Sequence, residues 1–149
     1  MKASTLRGHA RRMARLLDHL RGHLNEPLKI DALARIGGVS PRQVDRLFIR
    51  LFGESARACL RRLRLERAGR ELRETSEPIL AIALDAGFDS HESFTRSFSR
   101  HFGRNPSVFR ELPRANLQPQ SRQAYWTLAF AGRLRSYVER RETSSIRNG

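Results

Sequence analysis

The chain has 149 residues, of which 39% are hydrophobic, so it can bury one modest core or two small ones but not enclose a large cavity. Its formal net charge of +14, from 29 basic and 15 acidic residues, favours polyanionic partners such as nucleic acids. The single cysteine excludes an internal disulfide and a multi-cysteine zinc site, and no segment has the pattern of a membrane span or signal sequence. We therefore expect a cytoplasmic protein with no membrane association, no metal and no other cofactor.

The first half of the chain has a helical pattern. Apolar residues recur at intervals of three and four from Leu6 to Leu24, which predicts an amphipathic helix with one face on a core. Residues 30–37 are typical of a short helix, which the glycine pair at its end would stop in the left-handed conformation. Ser40 is followed by a proline and, three residues on, by a glutamine. This capping-box pattern predicts a second helix that ends near Phe52.

A longer helix is predicted over residues 55–74, and the side opposite its apolar residues is strongly basic. The arginines of that side are Arg57, Arg61, Arg62, Arg64, Arg67 and Arg70. Because few acids lie nearby, we expect this side to follow DNA phosphates, with Arg61 and Arg62 as phosphate contacts.

The second half repeats the short-helix pattern. A helix is predicted over residues 79–86, again ended by a glycine, and either Asp89 or Ser90 would cap the helix that follows it to about residue 102. Residues 106–111 form one or two further turns. Since no strand pattern is found, we expect an all-α fold.

The last part of the chain, residues 113–149, is a basic tail that begins with a polar, linker-like run. Apolar residues then recur at helical spacing over 123–139. Such a helix would pack on the last helix of the preceding domain. Alternatively, it would bind a partner, in an interaction protein that has lost DNA binding.

An internal repeat is the most informative feature of the sequence. Residues 34–53 and 83–103 align, with one extra residue in the second copy, and each predicts a short helix, a glycine turn and a second helix. This is the helix-turn-helix plan, in which the small side chains of Ala34 and Ala83 would let the paired helices approach closely. The residues that would hold each second helix on the first are Val44, Leu47, Phe94 and Phe98.

The spacing of the two copies favours binding by a single chain. An intervening helix of about 20 residues is roughly 30 Å long, and one turn of B-DNA is ~34 Å. If that helix follows the DNA axis, residues 41–51 and 90–101 enter successive major grooves. We therefore expect a monomer on a bipartite site in double-stranded DNA.

From about residue 9 to 112 the chain resembles the DNA-binding domain of the AraC/XylS family, in particular its small stress-response members. The most specific motifs are PILAIA at 78–83, GFDS at 87–90, FTRSFSRHFG at 94–103 and PSVFR at 106–110. The resemblance implies seven helices and a transcription activator or repressor with no enzymatic activity. It also implies contact with RNA polymerase.

Site residues follow from the same resemblance by position. Those expected to read bases are Arg42, Asp45 and Arg46 in the first unit and His91, Glu92, Thr95 and Arg96 in the second. The expected phosphate contacts beside them are Ser40, Arg50, Ser90 and Arg100. Several of the reading residues differ from those common in the family. Glu92 has the alternative of closing a capping box with Asp89, and Asp45 that of pairing with an arginine on its own helix.

We expect one DNA-binding domain over residues 6–112, with helix-turn-helix units at about 30–53 and 79–103 and a linker helix at about 55–74. The alternatives are a non-specific nucleic-acid-binding protein of the nucleoid and a truncated form of an effector-regulated relative. The second alternative arises because no sensor domain is expected before Leu6.

Overall fold

The computed structural model describes residues 3–113, which form seven α-helices. These are α1 (Ala3–Gly22), α2 (Ile30–Gly37), α3 (Val44–Phe52), α4 (Ala56–Glu74), α5 (Ile79–Asp85), α6 (His91–Phe102) and α7 (Pro106–Glu111). Over residues 3–113 there is no strand, and the all-α fold class with two helix-turn-helix units is confirmed. The helix expected over 123–139 lies outside the described residues.

These helices form two compact units. The first contains residues 3–22 together with Lys29–Ala56, and the second contains His23–Leu28 together with residues 57–113. The first unit therefore holds the helix-turn-helix pair α2 and α3, and the second holds the pair α5 and α6. Helix α4 begins at the last residue of the first unit and otherwise belongs to the second.

The core of the first unit forms from the apolar stripe of α1 and the inner faces of α2 and α3, as the periodicity predicts. Its largest buried side chains include Met13, Leu16, Leu17, Leu20, Leu33, Val44, Leu47 and Phe48. Ala34 is also buried, which fits its predicted role of letting α2 and α3 approach.

The core of the second unit is a cluster rich in phenylalanine. It consists of Leu65, Ala68, Leu72, Ile82, Ala83, Ala86, Phe94, Phe98 and Phe109. The Phe98 ring lies 5.4 Å from that of Phe94 and 5.1 Å from that of Phe109, within the range of favourable aromatic contacts. These contacts fix the inner side of α6, so its opposite side faces solvent.

Glycine ends the first helix of each helix-turn-helix pair, as predicted. Gly38 has φ 64° and Gly87 has φ 82°, in the left-handed region that other residues adopt only with strain. The chain can therefore turn sharply into α3 and α6. Lys29, at the start of α2, makes no side-chain capping bond, as its residue type predicts.

Helix α1 ends at Gly22, two residues before the apolar pattern predicts. Beyond this end, the Leu24 carbonyl accepts a hydrogen bond from Arg64 Nε at 2.8 Å. Leu24 is buried as the pattern suggests, but it belongs to the second unit.

Candidate nucleic-acid interface

The solvent-facing side of α3 and of the 3-10 turn before it, Pro41–Gln43, is mainly cationic. Its exposed residues are Pro41, Arg42, Gln43, Asp45, Arg46, Ile49 and Arg50. The three arginines follow one another at intervals of four and therefore share one side of the helix. Ser40 begins this segment, and its backbone N–H donates to Gln43 Oε1 at 3.1 Å. The predicted reading and phosphate-binding residues of the first unit thus form one surface.

Asp45 has a structural partner that the sequence does not indicate. Its Oδ1 accepts a hydrogen bond at 3.1 Å from the backbone N–H of Ala56, the first residue of α4. A carboxylate at this point accepts a hydrogen bond from a donor that has no partner within the helix. Its negative charge also interacts favourably with the positive end of the helix dipole. Among residues 7–113 it forms no ion pair with an arginine of α3. Its reading role remains a prediction.

Ile49 is an exposed apolar residue that the sequence reasoning missed. Its side chain is 57% exposed, on the same side of α3 as Arg46. The internal repeat could have indicated that Ile49 is exposed, because it aligns Ile49 with the polar Ser99 of the second copy. A branched apolar side chain at this point suits contact with a thymine methyl group.

The exposed side of α6 brings together the reading residues predicted for the second unit. They are His91, Glu92, Thr95 and Arg96, with Thr95 half-buried and the other three exposed. Thr95 Oγ1 lies 3.5 Å from His91 Nδ1, one helical turn earlier. Arg100, also exposed, follows Arg96 by one further turn, as expected for a phosphate contact.

Ser90, and not Asp89, caps α6. Its Oγ accepts a hydrogen bond from the backbone N–H of Ser93 at 3.1 Å. Glu92 is therefore the second residue of the helix, one position too early to close a capping box, and that alternative for Glu92 is wrong. Because the Ser90 oxygen acts as an acceptor here, its hydroxyl hydrogen is still able to donate to a phosphate.

The expectation that Arg62 binds phosphate is wrong. Its side chain is 6% exposed, forms an ion pair with Glu66 at 3.1 Å and points Nη2 at the Cys59 sulfur, 3.5 Å away. A guanidinium enclosed in this way cannot reach DNA without unfolding part of α4. Cys59 is a fully buried core residue.

Two more arginines of α4 hold loops in place. Arg64 donates to the carbonyls of Leu24 and Glu26, at 2.8 and 2.9 Å, and Arg67 donates to the carbonyl of Asp85 at 2.8 Å. The prediction that the whole basic side of α4 follows DNA phosphates is therefore wrong, because half of its arginines are committed to the fold. The exposed members of the set are Arg57, Arg61 and Arg70.

His101, near the end of α6, adds no charge at neutral pH. Burial, and then the positive charge of Arg62, lowers the pKa of His101 from 6.5 to about 4. Its Nε2 is buried and has no hydrogen-bond partner among the described residues, and its ring packs 4.6 Å from that of Phe102. His101 therefore packs at the edge of the core of this unit.

Within the described part of the chain, no helix is both long and apolar enough to cross a membrane.

Comparison with known proteins gives a consistent set of similarities. The family described as a helix-turn-helix domain matches residues 33–112. The right origin-binding protein of Escherichia coli is 40% identical over 98 residues, which cover 66% of this chain and 34% of that protein. The regulatory protein SoxS of Salmonella typhimurium is 35% identical over 102 residues, which cover 68% of this chain and 95% of that protein. The chain thus spans about a third of the first relative and nearly all of the second.

Solved structures agree with these relatives. A transcriptional regulator with an AraC-type DNA-binding domain from Chromobacterium violaceum has a TM-score of 0.62 at 33% identity, covering 66% of this chain and 88% of that one. The DNA-binding domain of the transcription factor AdpA, solved with a target DNA, has a TM-score of 0.59 at 28% identity, covering 73% of this chain and 97% of that one.

Proposed function

The chain belongs to the AraC/XylS family of helix-turn-helix DNA-binding domains, and we propose that it is a sequence-specific transcription regulator that binds a bipartite site as a monomer. Its relatives are regulators and not enzymes. The proposal places the protein in the cytoplasm, on chromosomal DNA, with RNA polymerase as the partner through which it acts.

One observation carries this proposal. Arg46 and Arg96 occupy equivalent positions of the internal repeat, and both are exposed on the second helix of a helix-turn-helix pair. An arginine presented by such a helix can form two parallel hydrogen bonds with the O6 and N7 atoms of guanine. A chain that presents this arrangement twice would bind two half-sites, one with each helix-turn-helix unit.

We assign the remaining residues of these two surfaces by their position relative to the two arginines. His91, Glu92 and Thr95 would read bases next to Arg96, while Arg42 and Ile49 would do so next to Arg46. Asp45 would accept a hydrogen bond from cytosine or position a neighbouring arginine.

Phosphate contacts would flank both reading surfaces. The residues proposed for this role are Ser40, Arg50, Arg61, Ser90 and Arg100. Such contacts fix the position of the protein on the duplex without reading its sequence.

The test is selection of bound sequences from a random duplex pool. A regulator should enrich a site with two conserved segments about one helical turn apart, and should bind it at least ~10³-fold more tightly than unrelated duplex. A protein that coats nucleic acid without specificity would enrich no motif and would lose little affinity on unrelated duplex. That second outcome would contradict the proposal.

A further inference from the structure

The second unit contains a cleft of about 420 Å³ beside the first turn of α6. The cleft lies between the segment that precedes α2, the first half of α4 and the turn between α5 and α6. Its walls are formed by Pro27, Leu28, Arg57, Leu60, Arg61, Arg64, Ala86, Gly87, Phe88, Asp89 and Ser93. A concavity of this size suits a small organic molecule.

Three guanidinium groups from one side of α4 line this cleft. Arg57, Arg61 and Arg64 follow one another at intervals of four and three, so they project on the same side of the helix. Neither Arg57 nor Arg61 has an ion-pair or hydrogen-bond partner within residues 7–113. Both side chains are exposed, so their donors are available to a ligand.

Arg64 is held rigidly in the wall of the cleft. Its Nε and Nη2 donate to the carbonyls of Leu24 and Glu26, which leaves Nη1 without an acceptor in the described chain. Gly87 makes room for it, since a Cβ at that position would lie 3.1 Å from Nη1. The guanidinium is thus already oriented before any ligand arrives, which reduces the entropy lost on binding.

The charges in the cleft indicate which anion it fits. Asp89 is the only acid among the lining residues, so three arginines leave an excess of two positive charges. A phosphate monoester carries a charge of about −1.5 to −2 at pH 7, whereas each phosphodiester of a DNA backbone carries only one negative charge. Planar guanidinium groups also match phosphate oxygens in geometry.

We propose that this arginine cleft binds the phosphoryl group of a small phosphate monoester, with Leu60 and Phe88 against its organic part. The binding itself does not depend on the proposed function. Because the cleft adjoins the first turn of the reading helix α6 through Ser93, we expect an occupied cleft to weaken specific DNA binding, and this second step rests on the proposed function.

In the experiment, the full chain is titrated with phenyl phosphate, and binding is measured by NMR or calorimetry. A parallel titration uses dimethyl phosphate, a singly charged analogue of the DNA backbone. Arg57→Gln and Arg61→Gln should each weaken phenyl phosphate binding about tenfold, since each removes charge-assisted hydrogen bonds. Arg70→Gln is the matched control, because Arg70 is exposed on α4 about 180° around the helix from Arg61. Affinity should rise between pH 5 and 7 as the ligand loses its second proton.

The proposal is overturned if phenyl phosphate does not bind, or if the variants in the cleft behave like Arg70→Gln. Equal affinity for dimethyl phosphate would also overturn it and would assign the cleft to the DNA backbone. Specific duplex binding is measured separately, with and without phenyl phosphate. Specific DNA binding without phenyl phosphate binding leaves the proposed function intact and rejects the cleft, whereas the reverse result rejects the function and keeps the cleft.

Discussion

The carboxylate of Asp45, on the exposed side of α3, accepts a hydrogen bond from the backbone N–H of Ala56 at 3.1 Å and so caps the start of α4. Asp45→Ala should therefore lower the free energy of unfolding by about 1 kcal/mol, the usual cost of losing such a cap. Chemical denaturation measures this. Asp45→Asn is the control, because its amide oxygen can still accept the bond, and equal destabilisation by both substitutions would contradict the capping role.

Asp45→Asn also separates the cap from the proposed reading role. It removes a negative charge close to the DNA while the fold is kept, so binding to unrelated duplex should strengthen. The difference in binding free energy between the selected site and unrelated duplex should decrease by about 1 to 3 kcal/mol. An unchanged ratio of the two affinities would show that Asp45 has only its structural role.

Ile49 tests whether the exposed side of α3 contacts bases. If its side chain packs on a thymine methyl group, Ile49→Ala should weaken binding to the selected duplex by about 1 to 2 kcal/mol, with little effect on unrelated duplex. Val108→Ala is the control, because Val108 is also an exposed apolar residue but lies on α7, outside the proposed surface. The same small change for both variants in a binding titration would argue against this contact.

Asp45 shows which features of this protein the sequence can predict. The spacing of apolar residues and the local capping and glycine patterns predicted the helices, the glycine turns and the exposed side of α3, because these depend on residues three or four positions apart. The bond from Asp45 to Ala56 spans 11 positions and has no local signature. It became visible only once the helices were packed.

The arginines of α4 show the same limit more strongly. Arg61 and Arg64 look alike in the sequence, yet Arg61 is exposed while Arg64 binds carbonyls about 40 positions earlier in the chain. Arg62 is buried by tertiary packing, and its charge is paired with Glu66, one turn later on the same helix. Residue type and spacing predicted a basic helix, but tertiary packing decided which of its charges are available.

The lowered pKa of His101 predicts that the stability of the fold depends on pH. Its pKa is about 4 in the folded protein and 6.5 when unperturbed, so the unfolded chain binds the proton more readily. The free energy of unfolding should therefore fall as the pH is lowered from 6.5 to 4. Because the ring is partly open to solvent, we expect a contribution of about 1 to 2 kcal/mol.

His101→Gln should flatten this pH dependence in denaturation curves recorded across that range. His91→Gln, at an exposed position of the same helix, serves as the control and should keep the wild-type profile. If His101→Gln leaves the slope unchanged, the histidine is not the group that titrates.

The excess of arginine predicts that the affinity for duplex DNA depends strongly on salt concentration. With six or more phosphates neutralised, a plot of log affinity against log salt concentration should have a slope near −5. Fluorescence anisotropy over a range of salt concentrations gives this slope directly. A value shallower than about −2 would mean that only two or three phosphates are contacted.

The central claim is that both units of one chain read DNA, and quantitative footprinting on the selected duplex tests it most directly. The wild-type chain should protect two segments about one helical turn apart at a stoichiometry of one chain per duplex. Arg46→Ala and Arg96→Ala should each cost about 1 to 3 kcal/mol, and each should lose protection of a different segment. Wild-type affinity and an intact footprint for Arg96→Ala would contradict the claim, because the second unit would then not read DNA.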